Sequence, residues 1–350
     1  MLLKSVNINN FRGFKNLQIK DLKLVNLLIG KNSCGKTSVL DALFLLLGGN
    51  NPTLSVVVQN MRQMFIRSDN DFKYLFNDFN INDIVNVSAE TADNKKMSLE
   101  ISPLVGLFGA NNSSNNGENK EIFSQPSTTE VHKLMIGIRY NFTGISGKSS
   151  SNDFSITLKP IPNYGMPEVL VEYRNTSNML FMGQAVNDLI MNKSENEMVD
   201  ILKEISNDII GIKMGADNIV YVDVKDKKEL LPINVMGDGI VKIVSILASL
   251  RRVKNGVLLI DEIENGLHFS SLKSLWKAIF KACQLYNVQI LATTHSYECI
   301  KSFCNVYDSN NKLSDEISLI RLDKKNNELR VVSYNEINIK TAMENEMEVR

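Results

Sequence analysis

Gly30-Lys31-Asn32-Ser33-Cys34-Gly35-Lys36-Thr37 decides the fold. The stretch fits GxxxxGK[ST], and each fixed position has a physical reason. Gly30 and Gly35 let backbone N–H groups wrap phosphate oxygens, Lys36 neutralises charge on the β/γ oxygens, and Thr37 offers a hydroxyl to Mg²⁺. Asn32, Ser33 and Cys34 are expected to touch the nucleotide between the two glycines. Ser38 is expected to do so at the start of a helix whose positive end faces the anion. The context agrees: apolar residues 24–29 read as a buried strand running into Gly30, and a helix from Ser38 is stopped by Gly48-Gly49-Asn50-Asn51-Pro52. A chance match in a chain of this composition has odds of about 1%. The expected ligands are ATP and Mg²⁺.

Outward from this loop, Val257-Leu258-Leu259-Ile260 reads as a second buried strand, ending in Asp261-Glu262. Asp261 is placed to hold Mg²⁺ with Thr37, and Glu262 to orient or deprotonate an attacking water. A third strand, 288–292, runs into Thr293-Thr294-His295-Ser296. Ligands of parallel sheets sit at the carboxyl ends of the strands, so His295 is placed to reach the γ-phosphate or the water. The alternative is a histidine that caps its strand against a carbonyl. The expected catalytic group is therefore Lys36, Glu262 and His295.

Apolar strands alternate with helices at both ends of the chain, which predicts an α/β sheet. Residues 1–52 and 230–350 form the two parts of the nucleotide-binding unit, with a terminal hairpin at 317–334. Residues 53–229 read as an inserted α+β lobe with strands at 134–142, 154–158 and 169–173. Within it the Asn-rich tract 109–117 and the tract 146–153 read as loops, and apolar spacing over 195–210 predicts an amphipathic helix. The 350 residues carry 39 Lys+Arg against 39 Asp+Glu, which removes the simplest electrostatic case for nucleic acid. Four cysteines without CxxC spacing read as reduced thiols, and three dispersed histidines argue against a His-built zinc site. With neither a membrane-length apolar run nor a signal segment, a cytoplasmic protein without membrane contact is expected.

Leu3-Lys4-Ser5-Val6-Asn7-Ile8-Asn9-Asn10-Phe11-Arg12-Gly13-Phe14 and the phosphate loop resemble the opening of SMC/RecF-type ABC ATPase heads. Asp261-Glu262-Ile263-Glu264-Asn265-Gly266-Leu267-His268 and Thr293-Thr294-His295-Ser296 resemble the closing half of the same head, with most likeness to the OLD (overcoming lysogenization defect) family and related phage-defence ATPases. The resemblance covers roughly residues 1–50 and 230–330. It implies a P-loop NTPase head with a mixed β-sheet that binds ATP at Lys36, Thr37 and Asp261, hydrolyses it with Glu262 and senses the γ-phosphate through His295. Arg12 matches a basic residue near the nucleotide in such heads; it also suits a plain surface turn. Met236-Gly237-Asp238-Gly239 stands where a signature segment would reach a partner's ATP across a homodimer or higher oligomer. It keeps Gly237 and Gly239 but lacks the family's serine, and Gly-Asp-Gly equally suits a turn. Gln59 and Gln63 fall where a magnesium-contacting glutamine is expected, without a choice between them.

Long heptad arrays and a Toprim-like DxD pair after His295 are both missing, so a nuclease or toxin effector would be a separate polypeptide. The resemblance implies a dimerising ATPase that works as a conformational switch in antiphage defence or a toxin-like module. Two rivals stand beside it: an ATP-gated scaffold with little turnover, and a RecF-like DNA-repair ATPase. Lys148, Lys159, Lys213 and Arg251-Arg252 leave room for a basic DNA-facing surface.

Overall fold

A computed structural model describes residues 2–48, 51, 53–65, 69–106, 133–143, 149–156, 171–174, 182–216, 219–308, 316–325 and 328–334. The chain begins with a hairpin, β1 (Leu3–Phe11) and β2 (Phe14–Ile19), whose inward residues alternate with exposed ones. It then enters β3 (Val25–Ile29), in which all five residues are buried. Burial on both faces is the mark of a parallel-sheet strand.

Next come α1 (Lys36–Leu47), α2 (Leu54–Asn60), β4 (Val85–Thr91), β5 (Lys96–Gly106), β6 (Lys133–Thr143), β7 (Ser149–Ile156) and β8 (Val171–Arg174). Then follow α3 (Met182–Met191), α4 (Glu195–Leu202), β9 (Ile209–Met214), β10 (Val220–Val224) and β11 (Leu231–Pro232). The last part holds α5 (Asp238–Arg252), β12 (Val257–Ile260), α6 (Leu272–Tyr286), β13 (Gln289–Thr293), α7 (Tyr297–Asp308), β14 (Ile317–Lys325) and β15 (Glu328–Tyr334).

Two six-stranded sheets organise these elements. The first is antiparallel, in the order β2-β1-β4-β5-β6-β7. The second runs β15-β14-β3-β13-β12-β8; all its neighbours are parallel except the β14–β15 hairpin. This is the mixed sheet of an α/β P-loop ATPase fold.

Helix α1 lies between the sheets, and its two-sided burial follows from its sequence. Val39, Leu40, Ala42, Leu43, Leu45, Leu46 and Leu47 are all buried, as an apolar girdle around a helix requires. They share one core with β1, β2, β4 and β5. The opposite face of the parallel sheet is covered by α5, α6 and α7, where Trp276 meets Phe303 edge-on at 4.8 Å.

Residues 53–229, read as an inserted lobe, supply β4–β7 to the antiparallel sheet and β8 to the edge of the parallel one. Two local expectations need correcting. The amphipathic helix read over 195–210 stops at Leu202, because Ser206-Asn207-Asp208 turns the chain before β9 pairs with β10. The tract 146–153, read as a loop, enters β7 at Ser149, where pairing with β6 overrides a Ser-rich sequence. The tract 109–117 lies outside the described residues. All four cysteines are free and buried.

Candidate functional site

Three parallel strands end side by side. Thr293 of β13 pairs with Leu28 of β3, and Ala292 pairs with Ile260 of β12. Gly30 and Asp261 follow directly and His295 comes two residues after Thr293, so one sheet edge gathers residues from distant parts of the sequence.

The loop after β3 has the backbone of an anion cradle. Gly30, Ser33 and Gly35 have φ of 141°, 63° and 93°. At Gly35, which caps α1, an added Cβ would sit 2.5 Å from the Phe14 ring. Glycine is required there both by conformation and by space. Asn32 and Ser33 are exposed, Cys34 is buried, and Thr37 and Ser38 are half-buried at the helix start. The Lys36 ammonium, itself buried, donates to the carbonyl oxygens of Gly30 at 2.7 Å and Lys31 at 3.0 Å. It thus lies within the curl of the loop.

Hydroxyl and carboxylate meet across the sheet edge. Thr37 Oγ1 donates to Asp261 Oδ1 at 3.0 Å, and Thr293 Oγ1 donates to the same oxygen at 2.6 Å. Thr293 Oγ1 also accepts the Glu262 N–H at 2.9 Å, so one side chain fixes both acids. Burial raises the Asp261 carboxyl, against the pull of the two hydroxyls. The pair Thr37–Asp261 supplies hard oxygen ligands, the donor set that suits Mg²⁺.

Glu262 has φ +48°, an uncommon backbone for a non-glycine residue, and such strain gathers at working sites. The Asn265 amide donates to Glu262 Oε2, and Lys242 of α5 donates to the Asn265 carbonyl. Glu262 Oε1 lies 3.9 Å from His295 Nδ1. His295 is held between the end of β13 and the start of α7, where Ser296 Oγ accepts the Cys299 N–H at 3.2 Å.

Lys36, Thr37, Asp261, Glu262 and His295 are therefore brought together. Arg12 instead points at Asp41, which Arg62 also meets at 2.6 Å; the Asp41 side chain is 1% exposed. Gly237 is exposed at the cap of α5 with φ +92°, and Gly239 lies half-buried near Leu267 and Ser271. Gln59 is buried in α2. Sequence reasoning assigned no task to Thr293, Glu264, Asn265 or Asp41. Asp41 was findable: it stands one helical turn after Thr37, on the same face of α1.

Two family models match, together spanning most of the chain. Residues 1–160 match the model described as "AAA ATPase domain", and residues 158–300 match "AAA domain, putative AbiEii toxin, Type IV TA system". Both descriptions are of AAA-type domains, and with the phosphate loop and the acidic strand beside it they mark the chain as an ATPase. Among curated proteins the chain is similar to an ATP/GTP phosphatase of Helicobacter pylori, 24% identical over 333 residues, covering 86% of this chain and 87% of the relative. It is also similar to the DNA replication and repair protein RecF of Lachnoclostridium phytofermentans, 42% identical over 45 residues, which is 13% of this chain and 12% of that protein. A solved Smc head domain derived from Pyrococcus furiosus aligns over 100% of this chain and 99% of its own, with TM-score 0.49 and 12% identity.

Proposed function

We propose that this ATPase is a Mg²⁺-dependent switch. Two copies close over ATP bound at the phosphate loop, and hydrolysis separates them. The observation that supports it most is the 3.0 Å bond from Thr37 to Asp261, which joins the loop strand to the acidic strand beside Lys36. In this reading Gly30, Asn32, Ser33, Cys34, Gly35 and Ser38 line the phosphates and Lys36 meets the β/γ oxygens. Thr37 and Asp261 hold the ion, which neutralises charge on the phosphates when bound. Glu262 takes a proton from the attacking water, and His295 faces the γ-phosphate. Arg12, which the resemblance places by the nucleotide, stays on Asp41 of α1, behind the phosphate loop. Gly237 and Gly239 present α5 backbone N–H groups to the second copy's nucleotide.

The toxin-related family description supports a role in a toxin-like module; a role in antiphage defence and a separate nuclease or toxin polypeptide as effector remain part of the proposal. No helix among the described residues is long and apolar enough to cross a membrane. The DNA-repair rival draws less support. Arg252 is tied to Glu172 at 2.6 Å, and Arg251 lies 3.9 Å from Glu197 and over the Tyr286 ring. Lys148 and Lys159 lie outside the described residues.

Light-scattering mass with and without Mg-ATP, on wild type and Glu262→Gln, with phosphate release from the same samples, tests the switch. An ATP-dependent doubling of mass that persists in the variant is expected. A fixed mass with no phosphate release would overturn the switch in favour of the scaffold.

A further inference from the structure

The turn that carries Asp261 and Glu262 holds another carboxylate, Glu264, to which the proposed chemistry gives no task. Its side chain is 11% exposed. Oε1 accepts the backbone N–H of His295 at 3.2 Å and lies 3.8 Å from His295 Nδ1. Oε2 is buried with no hydrogen-bond partner among the described residues. A buried charged oxygen without a partner is costly, so its retention asks for a reason. Glu262 Oε1 stands 3.9 Å from the same ring nitrogen. His295 Nδ1 therefore faces two carboxyl groups, one 11% and one 42% exposed. With Nδ1 turned to them, Nε2 is the nitrogen left to face a phosphate oxygen or a water.

We propose that Glu264 is a positioning residue for hydrolysis, acting through His295. Its grip on the backbone sets where the histidine leaves β13. Its contact with Nδ1 sets the ring so that Nε2 faces the γ-phosphate side and Glu262 stays within reach of the same water. Displacing a reacting group by about 1 Å can cost on the order of 100-fold in rate, which sets the scale expected when the bond from Glu264 to the His295 backbone is lost. The inference rests on the proposed role of His295.

The test is a double-mutant cycle. Glu264→Ala, His295→Ala and the double variant are assayed for kcat, KM and ATP affinity by direct titration, with Glu264→Gln as a milder probe that keeps an acceptor for the His295 N–H. Glu264→Ala should lower kcat by about 10- to 100-fold while ATP affinity holds within about twofold. Glu264→Gln should fall between it and wild type, and the double variant should match His295→Ala. If the two losses multiply, or if Glu264→Ala changes stability or affinity alone, Glu264 does not act through His295. Should Glu264→Ala fail to fold, Glu264→Gln runs the same cycle under the same criteria. A His295→Ala variant with wild-type kcat would overturn this inference together with the role given to His295. The phosphate-loop reading is judged separately, by Lys36→Ala.

Discussion

Burial raises the Asp261 carboxyl above the ordinary aspartate range, and the Thr293 and Thr37 hydroxyls only partly offset it. The folded protein therefore binds more protons than the unfolded chain between the ordinary aspartate pKa and the raised one. Stability from this group falls as pH rises through that window and is greater below it. Asp261→Asn, which keeps an acceptor for both hydroxyls, should leave the ligand-free Tm at neutral pH unchanged or higher. The same variant should lose the Mg-ATP stabilisation that wild type gains, about 2.7 kcal/mol at 100 times Kd; differential scanning fluorimetry reads both. On the proposed reading, Lys36→Ala would remove two or more charge-assisted bonds to phosphate, about 1.5–3 kcal/mol each. It should weaken ATP binding by about 10²- to 10⁴-fold, and unchanged affinity by titration would remove the loop from the site. Glu262→Gln should keep ATP affinity and lower kcat by about 100-fold or more. At this scale the sequence was most legible where chemistry fixes both residue type and spacing, as from Gly30 to Thr37. Thr293 was not legible, because its hydrogen bonds to Asp261 and the Glu262 N–H exist only after the strands align; Asn265 acts through a bond within its own turn, which the residue types alone do not announce.

Elements were legible where their period was clear and their burial two-sided. The runs read at 24–29, 257–260 and 288–292 are β3, β12 and β13 to within a residue or two, because a parallel strand covered on both faces is a continuous apolar run. Residues 195–210 misled because helical spacing persists past Leu202 while the chain already turns toward β9. The join between β2, the phosphate loop and α1 offers a test at this scale. Gly35→Ala must place a methyl against Phe14 at φ +93°, a strain of about 1–3 kcal/mol. The variant should lower Tm and weaken ATP binding together. Wild-type values of both would show that the Phe14 ring gives way.

The whole molecule is layered as antiparallel sheet, α1, parallel sheet and helices, and one buried ion cluster pins the layers near the site. Asp41 of α1 holds Arg12 from the turn between β1 and β2 and Arg62 from beyond α2. Asp41→Ala would strand the Arg12 guanidinium, whose side chain is 9% exposed, and should cost about 3–5 kcal/mol. A denaturation midpoint like that of wild type would show that the cluster adds nothing net. The order of the parallel sheet was legible only in outline. Nothing in the spacing says that β8, from the irregular middle of the chain, closes its edge beside β12.

The strand that carries the phosphate loop is flanked on one side by β13 and on the other by β14. Both neighbours are synthesised long after it. At about 5–20 residues per second, β3 leaves the ribosome many seconds before either partner exists, with both ladder edges open. A prematurely terminated product would hold an intact phosphate-loop sequence yet lack the sheet that shapes it. Nucleotide can therefore reward the folding of this loop only once β13 and β14 have been made.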